Sequence, residues 1–188
     1  MKKVLIFGDS ISLGVHDCEN GGWANHFQES HSEVEVFNES VSGFTVVELW
    51  GRLPLVIEKI THLILAIGIN DNCYYENSSS TSISYEKSKR TWEKIFNYLK
   101  NLALEKAIVG LTPVFENEFQ CVQFRNNDVK NYNKFLKIQS NPNKIEFIEV
   151  FDALEGKRDL YDDPLHPNSS GHKLIFEVVQ KSRFCSKL

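Results

Sequence analysis

The chain has 188 residues, a length that suits one domain with one hydrophobic core. Its 41% apolar content excludes intrinsic disorder, and its net charge of −4 comes with no basic stripe interleaved with aromatics, so nucleic-acid binding is not expected. No run approaches the roughly 18 apolar residues that would span a membrane.

In chain order, Val4-Leu5-Ile6-Phe7 follows Met1-Lys2-Lys3 in the manner of a signal peptide. The run stops at Gly8-Asp9, short of the about 7–15 apolar residues of such a segment. Residues 3–7 therefore read as a buried first strand, and the expected location is the cytoplasm. A short helix follows at 23–30 and a second strand at 34–38. Residues 45–59 carry helical apolar spacing (Val46, Val47, Leu49, Leu53, Val56, Ile57), with Pro54 as a kink or break. A third strand is expected at 62–67. The polar Ser/Thr run from Asn77 to Ser82 reads as an exposed loop. Residues 85–104 form the longest amphipathic helix, with Trp92, Ile95, Phe96, Leu99 and Leu102 on one face. A fourth strand at 107–111 is stopped by Thr112-Pro113. Further elements are a helix at 126–139, a fifth strand at 145–150 and a closing helix at 169–181. Strands alternating with helices predict crossovers, hence a three-layer α/β/α sandwich around a five-stranded, mostly parallel sheet.

The four cysteines, at 18, 73, 121 and 185, match no metal spacing and no small disulfide framework, and read as free thiols. Cys18 has His16 two residues before it, which makes a thiol nucleophile a minor reading. No His-x-x-x-His or Cys-x-x-Cys spacing occurs, so no metal is expected. Asn38, Asn77 and Asn168 each open an Asn-x-Ser sequon, without consequence in the absence of a secretory route.

Polar clusters follow the strands. Gly8-Asp9-Ser10 closes the first, Ser42-Gly43 comes after the second and Gly68-Ile69-Asn70-Asp71 after the third. Asp163-Pro164-Leu165-His166 precedes the last helix. In a parallel sheet the segments after the strands emerge at one carboxyl edge, where α/β proteins place their sites. The residue types suit acyl transfer. A serine hydroxyl needs a base within about 3 Å, and His166 can accept its proton. Asp163, three residues earlier, can reach the imidazole Nδ1–H and fix the tautomer; Asp162 is its competitor at four. The N–H groups of Ser10 and Gly43 and the Asn70 amide are candidate oxyanion donors. Asp9 and Asp71 read as loop-bracing carboxylates. His16, His26, His31, His62 and His172 have no partner motif and read as solvated or capped. Phe44, Tyr74 and Tyr75 follow the oxyanion segments and are candidates for a substrate pocket. Residues 114–124 read as a lid or a plain surface loop.

Gly-Asp-Ser alone arises by chance too often to carry an assignment. The ordered set of four blocks resembles the SGNH hydrolases, also called GDSL lipases/esterases, over nearly the whole chain. The resemblance implies Ser10 as nucleophile, an Asp163–His166 pair completing a triad, and an oxyanion hole of Ser10, Gly43 and Asn70. It also implies small acyl esters, thioesters or acetylated sugars as substrates and no cofactor. Ser40 stands where many relatives carry a glycine, a position at which a Cβ tolerates positive φ poorly. Two alternatives stay open: a carbohydrate acetylesterase of the same fold, and a non-catalytic module binding phosphate or nucleotide at the first loop. Asp9 places a negative charge in that loop, which disfavours the second.

Overall fold

The first strand, β1 (Lys3–Gly8), lies at the heart of a sheet completed by β2 (Glu35–Asn38), β3 (His62–Ala66), β5 (Glu105–Val109) and β7 (Glu146–Ile148). The order is β2-β1-β3-β5-β7 and every pairing is parallel. Val4 faces both Val36 and His62, so β1 has a partner on each side. Val4, Leu5, Ile6 and Phe7 are all buried, as a parallel sheet covered on both faces requires. That double covering is why β1 and β3 read as unbroken apolar runs, whereas the edge strands β2 and β7 carry glutamates and are only partly buried. The computed structural model describes every residue except Met1, Cys18 and Asn77. The thiol reading of Cys18 and the sequon at Asn77 therefore lie outside the described residues.

Seven α-helices accompany the strands among the described residues: α1 (Ser10–Leu13), α2 (Gly22–Ser30), α3 (Val46–Val56), α4 (Tyr85–Lys100), α5 (Asn126–Ser140), α6 (Phe151–Leu154) and α7 (Ser169–Gln180). Helix α2 packs on α7 and α3 on α4, and with the sheet they make the expected three-layer sandwich. Helix α4 buries Trp92, Ile95, Phe96 and Leu99 along one stripe. Helix α3 starts at a capping box in which Thr45 and Glu48 satisfy each other's backbone N–H groups. It carries Pro54 in its last turn and stops two residues later, earlier than the spacing predicted. Helix α4 also ends early, at Lys100; Leu102 and Leu104 pack as a connector, with the Leu102 N–H bonded to the Leu99 carbonyl at 3.1 Å.

A second, two-stranded antiparallel ribbon joins β4 (Tyr74–Tyr75) to β6 (Val122–Gln123). It sits beyond the carboxyl edge and ties the segment after β3 to residues 114–124. No described helix is long and apolar enough to cross a membrane.

Candidate active site

Ser10 is the first residue of α1, directly after β1, and is 3% exposed. The Asp9 carboxylate caps that short helix by accepting the Ile11 N–H at 3.0 Å. Burial pushes the Asp9 carboxyl up to about 7, against the opposing pull of the Ile11 N–H. Asp9 thus holds a turn, as the sequence implied.

The Ser10 Oγ lies 3.0 Å from Nε2 of His166, across 156 residues of chain. The other ring nitrogen, Nδ1, meets Asp163 Oδ2 at 2.7 Å. The second carboxylate oxygen, Oδ1, accepts the N–H groups of Leu165 and His166, each at 2.7 Å. Burial works to raise the Asp163 carboxyl, but the bonds from the His166 ring, the His166 N–H and the Leu165 N–H outweigh it and hold it below the ordinary carboxylate value. An ionised Asp163 accepting from Nδ1–H leaves the Nε2 lone pair facing Ser10. Asp162 is turned elsewhere: its Oδ2 is 3.8 Å from Nδ1 of His16.

The segments after β2 and β3 stand beside Ser10 because β1 lies between those strands. The Val41 N–H bonds to the Gly8 carbonyl at 3.1 Å, and Asn38 Nδ2 bonds to the Ser12 carbonyl at 3.0 Å. Gly43 adopts φ 79°, a conformation glycine takes without strain. The N–H groups of Ser10 and Gly43 have no hydrogen-bond acceptor among the described residues. Ser40 is not among the described residues with positive φ, and its N–H is bound by Asn38 Oδ1 at 3.2 Å, so the residue replacing glycine there is unstrained.

Asn70 opens a short 3₁₀ turn, Asn70–Asn72, and its Nδ2 donates to the Phe44 carbonyl at 2.9 Å. One amide hydrogen is thereby spent on linking the segments after β2 and β3 and one is left over. Gly68, at φ 130°, admits this turn; a Cβ there would come within 2.6 Å of the Tyr132 ring. Asp71 is 1% exposed and accepts three bonds, from the Val46 N–H at 2.9 Å, Ser88 Oγ at 2.7 Å and Tyr132 Oη at 2.6 Å. Trp92 Nε1 in turn donates to Tyr132 Oη at 2.7 Å. Burial raises the Asp71 carboxyl above its usual value despite those donors, and burial raises the Tyr132 phenol too.

The three aromatics proposed for a pocket are placed differently. The Phe44 ring packs near Phe7, with centroids 6.4 Å apart, and under the Arg52 guanidinium. Tyr75 is 61% exposed on the ribbon. The Tyr74 hydroxyl donates to Asp128 at 2.8 Å, and its ring lines a cavity of about 600 Å³ between α4 and α5, with Asn72, Tyr85 and Phe135. Ser10, Asp163 and His166 are not among that cavity's lining residues. The segment 114–124 is tied down: the Phe115 N–H bonds to the Pro164 carbonyl at 2.9 Å, and Phe115 packs edge-on against Tyr161.

Of the histidines read as solvated or capped, His31, His62 and His172 are buried and capped: their Nδ1 atoms meet the Phe27 carbonyl at 2.9 Å, the Thr61 hydroxyl at 2.8 Å and the Trp23 N–H at 3.4 Å. His16 is not an isolated surface group: its Nε2 is 3.4 Å from Asp163 Oδ2, and its ring centroid is 5.1 Å from that of His166. No sequence spacing could reveal this, since its partners come from the far end of the chain.

The profile of the GDSL-like Lipase/Acylhydrolase family matches residues 6–174, and the chain belongs to that family; it is an ester hydrolase. A catalytic mutant of Axe2, an acetylxylan esterase from Geobacillus stearothermophilus, superimposes with a TM-score of 0.78 at 18% identity, over 96% of this chain and 93% of that one. The lipase/acylhydrolase from Enterococcus faecalis gives 0.80 at 16% identity, over 99% and 97% of the two chains. LAE5, an alpha/beta hydrolase enzyme from the metagenome of Lake Arreo, gives 0.74 at 18% identity, over 95% and 93%. No match is found among curated proteins.

Proposed function

We propose that the enzyme hydrolyses carboxylic esters or thioesters of small or medium acyl groups through a covalent Ser10 intermediate. The observation that carries this reading is the continuous relay from Ser10 Oγ through His166 to Asp163, with contacts of 3.0 and 2.7 Å. As the Ser10 oxygen bonds to the acyl carbon, its proton passes to Nε2 and the carbonyl electron pair becomes an oxyanion. The free N–H groups of Ser10 and Gly43 and the second Asn70 amide hydrogen are the donors offered to that oxyanion. His166 then protonates the leaving alkoxide or thiolate as its bond to carbon breaks. A water repeats the sequence and frees the acid. Asp163 stabilises the imidazolium in both halves without taking its proton.

An acetylated sugar is the second substrate class. The acetylxylan esterase among the structural neighbours makes acetylated xylo-oligosaccharides a member of the substrate panel. The deciding experiment is labelling with a fluorophosphonate, read by intact mass. Wild type should take one adduct, and Ser10→Ala and His166→Ala none. An adduct persisting on Ser10→Ala would sink the assignment.

A further inference from the structure

We propose that His16, Asp163 and His166 form a binding site for a divalent transition metal, zinc above all, whose occupation reversibly arrests the enzyme. The proposal rests on the reading of His166 as the base. The three residues offer one donor atom each, all within 4.8 Å of one another. Asp163 Oδ2 lies between the rings, 3.4 Å from His16 Nε2 and 2.7 Å from His166 Nδ1. Zinc bonds of about 2.0–2.1 Å set tetrahedral neighbours about 3.3 Å apart. The His16–Asp163 pair already has that spacing, and the Asp163–His166 pair needs to open by about half an ångström. Two imidazoles and a carboxylate with a fourth position left to water are a donor set zinc favours, whereas magnesium and calcium favour all-oxygen sites.

The His16 Nδ1 lies 3.8 Å from Asp162 Oδ2, beyond hydrogen-bond distance, so that carboxylate adds negative charge beside the site without fixing the ring's tautomer. The neighbouring Asp17 anchors the segment, accepting the N–H groups of Glu19, Asn20 and Gly22 and the Ser169 hydroxyl. His16 itself sits at φ 68°, an uncommon conformation for a residue with a Cβ. The His16 and Asp163 side chains are 44% and 36% exposed, so an ion can reach them from solvent.

The consequence for the reaction follows from the tautomer. A metal on Nδ1 of His166 takes that nitrogen's lone pair and displaces its proton. The neutral ring then carries its proton on Nε2, so the total is unchanged. Nε2 now points an N–H at Ser10 Oγ and has nothing with which to accept the serine proton.

The test uses wild type, His16→Asn and His16→Ala. Asparagine tolerates positive φ, so the first variant keeps the backbone. Ester hydrolysis is followed during titration with zinc chloride, each protein normalised to its own metal-free rate. Magnesium chloride serves as control, EDTA tests reversal, and zinc binding is measured by calorimetry. Wild type should bind one zinc and lose activity over the same concentration range, recovering with EDTA. The midpoint should rise at least about tenfold in both variants. Equal zinc sensitivity in wild type and variants, binding without loss of rate, or no binding would each overturn the site as proposed. A wild type inactive without metal, yet binding zinc through His16, would keep the metal site and sink the serine-hydrolase reading instead.

Discussion

The two sides of the site are built on different foundations. The Asn70 side, proposed to hold the oxyanion, rests on the interior. Asp71, next to Asn70, is sealed from solvent and gathers Val46, Ser88 and Tyr132, with Trp92 behind. The acid–base side rests on a surface turn. Asp163 is braced by the N–H groups two and three residues on; its side chain and that of His16 are 36% and 44% exposed, while His166 is 16% exposed. Of the proposed oxyanion donors, Asn70 is thus tied to the core, which tolerates little displacement, whereas Gly43 lies on an exposed loop. The Asp163–His166 pair, proposed to move protons, is held by local hydrogen bonds on a partly exposed turn.

That contrast can be broken from either side. Asn70→Ala should reduce turnover about 10²- to 10³-fold, with KM little changed, because a single oxyanion donor is lost. Steady-state kinetics on a soluble ester checks it, and an unchanged kcat would remove Asn70 from the oxyanion hole. Asp71→Ala should cost about 3 kcal/mol of stability, since three buried donors lose their acceptor while a costly buried carboxyl is removed. Urea unfolding reads that loss; a cost under about 1 kcal/mol would show the network to be dispensable.

His172, beneath the base side, sharpens the comparison through pH. Burial, the largest influence, lowers its imidazole from the ordinary 6.5 to about 4, although the Val15 backbone and Asp17 pull the other way. The unfolded chain therefore binds the extra proton first. The contribution of a neutral His172 is complete above pH about 6.5 and is lost as pH falls to about 4, for a total of about 3 kcal/mol. The Asp9 carboxyl, raised to about 7, works in the opposite sense, so the quantity to measure is the difference between wild type and His172→Gln by urea unfolding across that range. A difference that does not change with pH would refute it. The smallest effect is expected at Asn168, whose Oδ1 caps α7 at the Gly171 N–H. Its replacement by alanine should cost about 1 kcal/mol in thermal or urea unfolding, with no loss if the cap is redundant.

All five strands of the main sheet were legible: β1 and β3 as continuous apolar runs buried on both faces, the partly buried edge strands β2 and β7 as short segments rich in Val, Ile and Phe. The β4–β6 ribbon was not, since two-residue strands have no period to read. Helix ends at Val56 and Lys100 were overrun because apolar residues beyond them also pack, without being helical. Within the site, spacing left Asp162 and Asp163 both within a turn of His166, and it was the family resemblance that singled out Asp163. The place of His16 was not legible, and neither was the buried state of His172, since each depends on segments that meet only when the first and last portions of the chain come together.

The 156 residues between Ser10 and His166 also impose a schedule on the molecule. A ribosome delivers the serine 156 residues before the histidine. Under the proposed mechanism a nascent polypeptide that stops short of His166 is a serine without its base, and turnover reports that these two distant segments have been brought together.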